Sequence, residues 1–104
     1  MKKGTIDLSE GLHIPAAAGV QANRTIATVQ LSSTDISAET AWTLEMTAGD
    51  GIWATAVDGS GENVAGTLAA NTPKILTFEV DNQLYYRVVF ASGSTGNISY
   101  IVMD

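Results

Sequence analysis

Turn-forming residues interrupt this chain so often that a helix of ordinary length has no room between them. Gly49-Asp50-Gly51, Asp58-Gly59-Ser60-Gly61, Asn71-Thr72-Pro73, Asp81-Asn82 and Ser92-Gly93-Ser94-Thr95-Gly96 punctuate the C-terminal half. The segments between them alternate apolar and polar residues, which is the period of a half-buried strand. Residues 25–31 place Ala27, Val29 and Leu31 on one face. Residues 41–48 place Trp42, Leu44 and Met46 inward, and residues 75–80 do the same with Leu76, Phe78 and Val80. With residues 52–57, 63–68, 84–90 and 97–103 this makes about seven short strands at roughly ten-residue spacing. The expected fold is all-β, an antiparallel β-sandwich of Ig-like or jelly-roll-like type. Gly49-Asp50-Gly51 is expected to close a hairpin between 41–48 and 52–57.

The strongest strand signal is Leu84-Tyr85-Tyr86-Arg87-Val88-Val89-Phe90, a run of aromatic and β-branched residues with one charge. Leu84, Tyr86, Val88 and Phe90 form its core face. The other face, Tyr85, Arg87 and Val89, is too apolar for a face left in water. Residues 97–103 are expected to pair antiparallel with this strand, and they repeat the oddity. Ile98, Tyr100 and Val102 share one face, Ile101 and Met103 the other. A sandwich needs one apolar face per sheet. Tyr85, Arg87, Val89, Ile101 and Met103 are therefore expected to be covered by the N-terminal segment or by another chain, with Arg87 as an interface anchor.

Residues 1–23 carry no sustained period. Gly11, Pro15, Ala16-Ala17-Ala18 and Gly19 break them, and a helix over 16–22 would last only about two turns. They are expected to form an extended arm or long loop, with a short strand possible over residues 4–8. Ile6, Leu8, Leu12 and Ile14 are apolar enough to dock that arm on a partner. The expected division is an arm over 1–23 and a β-sandwich domain over 24–104.

A chain of 104 residues makes one domain. It has no cysteine, so neither a disulfide framework nor a thiolate metal site can form. The net charge is −6 with only 5 basic residues, a poor match to a phosphate backbone, so nucleic acid is not an expected partner. Two acids interrupt the stretch after Met1-Lys2-Lys3 where a signal peptide would be apolar, and no run is long enough to span a bilayer. Neither secretion by a signal peptide nor membrane insertion is expected.

No catalytic constellation is legible, and no enzyme activity, metal or cofactor is expected. His13 is the sole histidine and lies in the arm segment. Asp58-Gly59-Ser60-Gly61-Glu62-Asn63 offers oxygen ligands but lacks the order of a calcium loop, and reads as a Gly-rich turn. Glu45 and Asp50 could be paired carboxylates of a glycosidase, but read as solvent-face acids at a hairpin end. Trp42 is in phase with the core. Trp53 competes with Ile52, Ala54 and Ala56 for the inside. If exposed, it could stack on a sugar ring, which makes a carbohydrate- or receptor-binding module the alternative function.

From residue 41 the order of features resembles a family. Trp42-Thr43-Leu44-Glu45 leads into Gly49-Asp50-Gly51-Ile52-Trp53-Ala54. Thr77-Phe78-Glu79-Val80 follows, then Tyr85-Tyr86-Arg87-Val88-Val89, then Ser92-Gly93-Ser94-Thr95-Gly96 and a last strand. This resembles small β-sandwich structural domains of tailed bacteriophages, found in capsid decoration, head-fibre and tail-associated proteins. The resemblance spans about residues 25–103. The chain departs from that pattern in the single Ile52 between Gly51 and Trp53 and in having no fibre repeat. The resemblance implies a virion protein assembled in the host cytoplasm, a capsid decoration (cement) or head-associated protein. Its partners would be the major capsid protein or other virion proteins. It would itself be a homo-oligomer, a trimer in decoration proteins of this kind, which would cover the extra apolar face.

Overall fold

A computed structural model describes residues 2–23, 25–80 and 84–103, so the Asp81-Asn82 turn lies outside the described residues. The fold is all-β, as the alternation requires. Ten strands are described: β1 (Lys2–Asp7), β2 (His13–Ile14), β3 (Val20–Gln21), β4 (Ile26–Ser32), β5 (Thr40–Thr47), β6 (Ala54–Thr55), β7 (Ala65–Leu68), β8 (Lys74–Glu79), β9 (Tyr85–Phe90) and β10 (Asn97–Met103). They make two antiparallel sheets. The first has the order β1-β10-β4-β8. In the second, β9 and β5 lie at the centre, β2 and β3 share the outer edge of β9, and β6 and β7 share the outer edge of β5.

The core lies between the sheets and comes from the residues that the alternation points inward. The first sheet contributes Ala27, Val29, Leu31, Ile98 and Val102; the second contributes Trp42, Leu44, Tyr86, Val88 and Phe90, all buried. Phe78 meets Tyr86 edge-to-face, with ring centroids 5.2 Å apart, the arrangement that aromatic quadrupoles favour. Trp42 is buried as its phase predicts. Its indole packs where Gly66 crosses on β7, and a Cβ at Gly66 would lie 2.7 Å from the ring.

Two expectations need correction. Residues 97–103 do not pair with residues 84–90. The loop over 92–96 crosses between the layers, so β9 lies in the second sheet and β10 in the first, flanked by β1 and β4. Asp35 fixes the start of β10, accepting the Asn97 backbone N–H at 2.9 Å and its Nδ2 at 2.8 Å. Residues 2–23 do not trail from the domain as an arm either. β1 completes the first sheet, with Lys2 opposite Val102 and Asp7 opposite Asn97. β2 and β3 complete the second, and Leu8, Ile14 and Ala22 belong to the core. The radius of gyration is 12.8 Å, matching ~13 Å for a folded chain of this length. These strands escape the sequence pattern because two of them are only two residues long and Pro15 to Gly19 separates them.

Candidate interaction surfaces

The outer face of the second sheet is built around Arg87. Register places Arg87 on β9 opposite Glu45 on β5, both pointing away from the core. The Arg87 Nε donates to Glu45 Oε1 at 2.8 Å, and NH2 lies 2.8 Å from the same oxygen. NH1 donates to the Ala17 carbonyl at 2.5 Å. The guanidinium also lies over the Trp53 ring, 4.0 Å from its centroid. Three kinds of contact, charge-assisted, backbone and cation–π, thus converge on one side chain. They hold residues 15–19 over the sheet at the point where the edge pairing skips from β2 to β3. Gly19 fits there because it has no Cβ. Its φ is +69°, and a Cβ would lie 2.6 Å from the Trp53 ring and 2.7 Å from the Tyr86 carbonyl oxygen.

This geometry revises the roles expected of several residues. Arg87, with 14% of its side chain exposed, is an internal clamp rather than an anchor open to a partner. Trp53 is half-buried, with one ring face under Arg87 and its far edge against Gly19, so that face cannot stack on a sugar. Tyr85 and Val89 are half-buried beside the clamp. Leu8 and Ile14 are in the core at 3% and 1% exposure, and Ile6 and Leu12 pack against it, so none of the four is free to dock elsewhere. His13 pairs with Val89 on this face. Burial and then the neighbouring Arg87 charge push its imidazole below the ordinary 6.5, with Glu45 pulling the other way.

Ile101 and Met103 lie on the opposite side of the molecule, on the outer face of the first sheet. There they join Ile26 and Ile75 in a field of small hydroxyls. Ile26 is 55% exposed, Ile75 67% and Met103 43%. Ile101, half-buried, is flanked by Lys3 and Gln30, and Gln30 by Ile75. Thr28 and Thr77 bring their hydroxyls to 3.5 Å, and Thr5 and Ser99 to 3.4 Å. Of the nine residues singled out from sequence as interface candidates, Ile101 and Met103 alone sit on this face. Ile26 and Ile75 were missed, although both occupy the polar phase of their strands, a visible signal.

The acids considered for chemistry serve the turns. Asp50 accepts the Ile52 N–H at 3.0 Å and the Thr47 hydroxyl at 3.1 Å. Asp58 accepts from the Ser60 N–H and hydroxyl and from the Glu62 N–H. These bonds favour the ionised form and hold both carboxyls below their ordinary 3.8. Glu45 is committed to Arg87.

A third surface had no forecast. Beside residues 77–80, at the C-terminal end of β8, the open side of the sandwich forms two contiguous hollows of about 750 and 540 Å³. Their floor includes Met46, Ala56, Phe78 and Val80; the far wall is the hairpin from Ala54 to Asn63. No known family matches the chain, and no curated protein or solved structure is significantly similar to it.

Proposed function

We propose that this protein is a non-enzymatic bacteriophage virion protein, a capsid decoration or head-associated protein that docks through the outer face of its first sheet. One observation carries the docking surface: Ile26, Ile75, Ile101 and Met103 stand outward on a single sheet whose other outward residues are mostly Thr, Ser and Gln. A regular sheet face holding several exposed large apolar side chains is suited to burial against another protein. The bacteriophage assignment rests on the run of motifs from Trp42 to Gly96 that resembles phage structural domains. Association of the copies with one another, as trimers, belongs to the same reading.

Quantitative mass spectrometry on particles purified from a lysate of the source tests it, by counting copies of this chain per major capsid protein. Hundreds of copies per particle are the expected result, and an Ile75→Lys/Ile101→Lys variant should be depleted from the particles while remaining folded. Absence of the chain from particles would remove the virion reading.

A further inference from the structure

We infer that the groove along β8 is a binding site for an extended, basic and apolar segment of a partner polypeptide, which adds to the first sheet as a fifth strand. The inference rests on the groove and the β8 edge alone, not on the virion reading.

β8 ends the sheet order β1-β10-β4-β8, so among the described residues no strand pairs with one side of this six-residue strand. Which backbone groups face that side follows from the ladder. The Val80 N–H donates to the Thr25 carbonyl at 2.9 Å, towards β4. In an antiparallel ladder a residue's N–H and C=O point the same way and successive residues alternate. Phe78 and Leu76 therefore bond to β4, while Glu79, Thr77 and Ile75 turn their N–H and C=O groups to the open edge. The Thr28–Thr77 hydroxyl contact agrees, since side chains come closest at the non-hydrogen-bonded pairs. Among the described residues the edge thus offers a row of donors and acceptors with no strand opposite, at the spacing of a strand.

Beside that row lies space for side chains. The hollows lie beside residues 77–80 of that edge, and Met46 and Phe78 are half-buried in their lining rather than sealed. A strand bonded to β8 would place alternate side chains into this space and the others on the outer face near Ile75 and Thr77. Each natural remedy for an open edge is missing from the middle of β8. It has no proline, no bulge and no inward-pointing charge between Lys74 and Glu79.

Charge decides between a partner segment and a second copy of this chain. The ionisable groups lining the hollows, Asp58 and Glu79, are both acids, with Glu62 at the adjoining turn. Pairing two β8 edges antiparallel about a two-fold axis would set Glu79 towards Lys74 of the other copy but bring no further base to Asp58 and Glu62, in a protein that already carries −6. A segment with Lys or Arg near the Glu79 end meets them favourably. Its apolar residues would alternate with polar ones, β-branched or aromatic where they enter the groove.

The test selects yeast-displayed random twelve-residue peptides against the purified protein and measures the best of them by fluorescence anisotropy. Enriched peptides should alternate apolar with polar residues and carry Lys or Arg. Thr77→Pro removes a donor from the open edge without touching the β4 ladder, and should weaken binding about tenfold or more. Glu79→Lys should weaken it several-fold, and high salt should act in the same direction. If Thr77→Pro does not fold, a peptide N-methylated at alternate amides replaces it and should fail to bind the unaltered protein. No enrichment, or enriched peptides that bind Thr77→Pro as well as the parent, would overturn the inference. So would self-association abolished by Thr77→Pro, because the occupant would then be a second copy.

Discussion

On the second sheet, Tyr85, Arg87 and Val89 lie beside residues 15–19, with the Ala17 carbonyl bound and Trp53 beneath the guanidinium. On the first sheet, Ile26 and Ile75 face outward at more than half their full exposure. Each face includes one strand, β9 or β10, that reads as apolar on both sides. The difference lies in what the chain brings to each. Sheet two has a neighbouring segment long enough to lie across it and an arginine placed to hold that segment. Sheet one ends in β1 and β8, and the described residues bring no segment across its outer face, leaving Ile26, Ile75 and Met103 exposed. A second apolar face therefore signals a cover, but not whose.

The contrast can be broken from the covered side first. Gly19→Val forces a β-branched residue to a φ of +69° and drives its Cβ into the Trp53 ring and the Tyr86 carbonyl. The backbone oxygen cannot swing aside, so a loss of about 3 kcal/mol or more is expected in urea unfolding. Gly11→Val, where an added Cβ meets nothing within 4 Å, should change stability by no more than about 0.5 kcal/mol.

Next in size is the clamp itself. Arg87→Met strands the partly buried Glu45 carboxylate, frees the Ala17 carbonyl and uncovers Trp53, and should cost about 2 kcal/mol. Adding Glu45→Gln should restore part of that loss, which a double-mutant cycle would read directly. Tryptophan emission should shift to the red in Arg87→Met as the Trp53 ring becomes wetter.

Acid sharpens the comparison further, because the faces titrate differently. His13 binds its proton less readily folded than unfolded. The unfolded chain takes up that proton first, so stability is highest above the ordinary value of 6.5 and falls as pH drops from there through the lower folded value. His13→Gln should flatten that part of a pH–stability curve. Asp7, Asp35, Asp50 and Asp58 are all held below 3.8 by hydrogen bonds from neighbouring residues. Their contribution is present above 3.8 and is lost as pH falls through their folded values, in the variant as in the parent.

The smallest effect belongs to the open face. Ile75→Thr should move the melting midpoint very little, within about 0.5 kcal/mol, since a residue two-thirds exposed gives up little burial. A larger loss would mean that the face is covered within the isolated molecule. A small loss of stability with a large loss from particles is the signature of a docking face.

These faces also show where sequence reading works. Alternation placed Ala27, Val29, Leu31, Trp42, Leu44, Tyr86, Val88 and Phe90 inside, and all are buried. Phase along one strand is a local property, so the pattern displays it. Partnership between strands is not local. Tyr85 and Ile101 looked like neighbours because their strands are consecutive, yet the 92–96 loop carries them to opposite faces. Glu45 and Arg87 carry opposite charges at outward positions, but only the adjacency of β5 and β9 makes them a pair. The strands formed by Lys2–Asp7, His13–Ile14 and Val20–Gln21 owe their extended form to β10 and β9 more than to their own residues.

The pairing of Lys2 with Val102 has a mechanical consequence. Because β1 and β10 run antiparallel, a pull on residues 2 and 102 loads the same end of one ladder. Force then parts the strands rung by rung rather than shearing all the bonds at once. The first sheet should open from that corner at low tension, and β1 and β10 should be the first strands to yield when the domain is stretched between them.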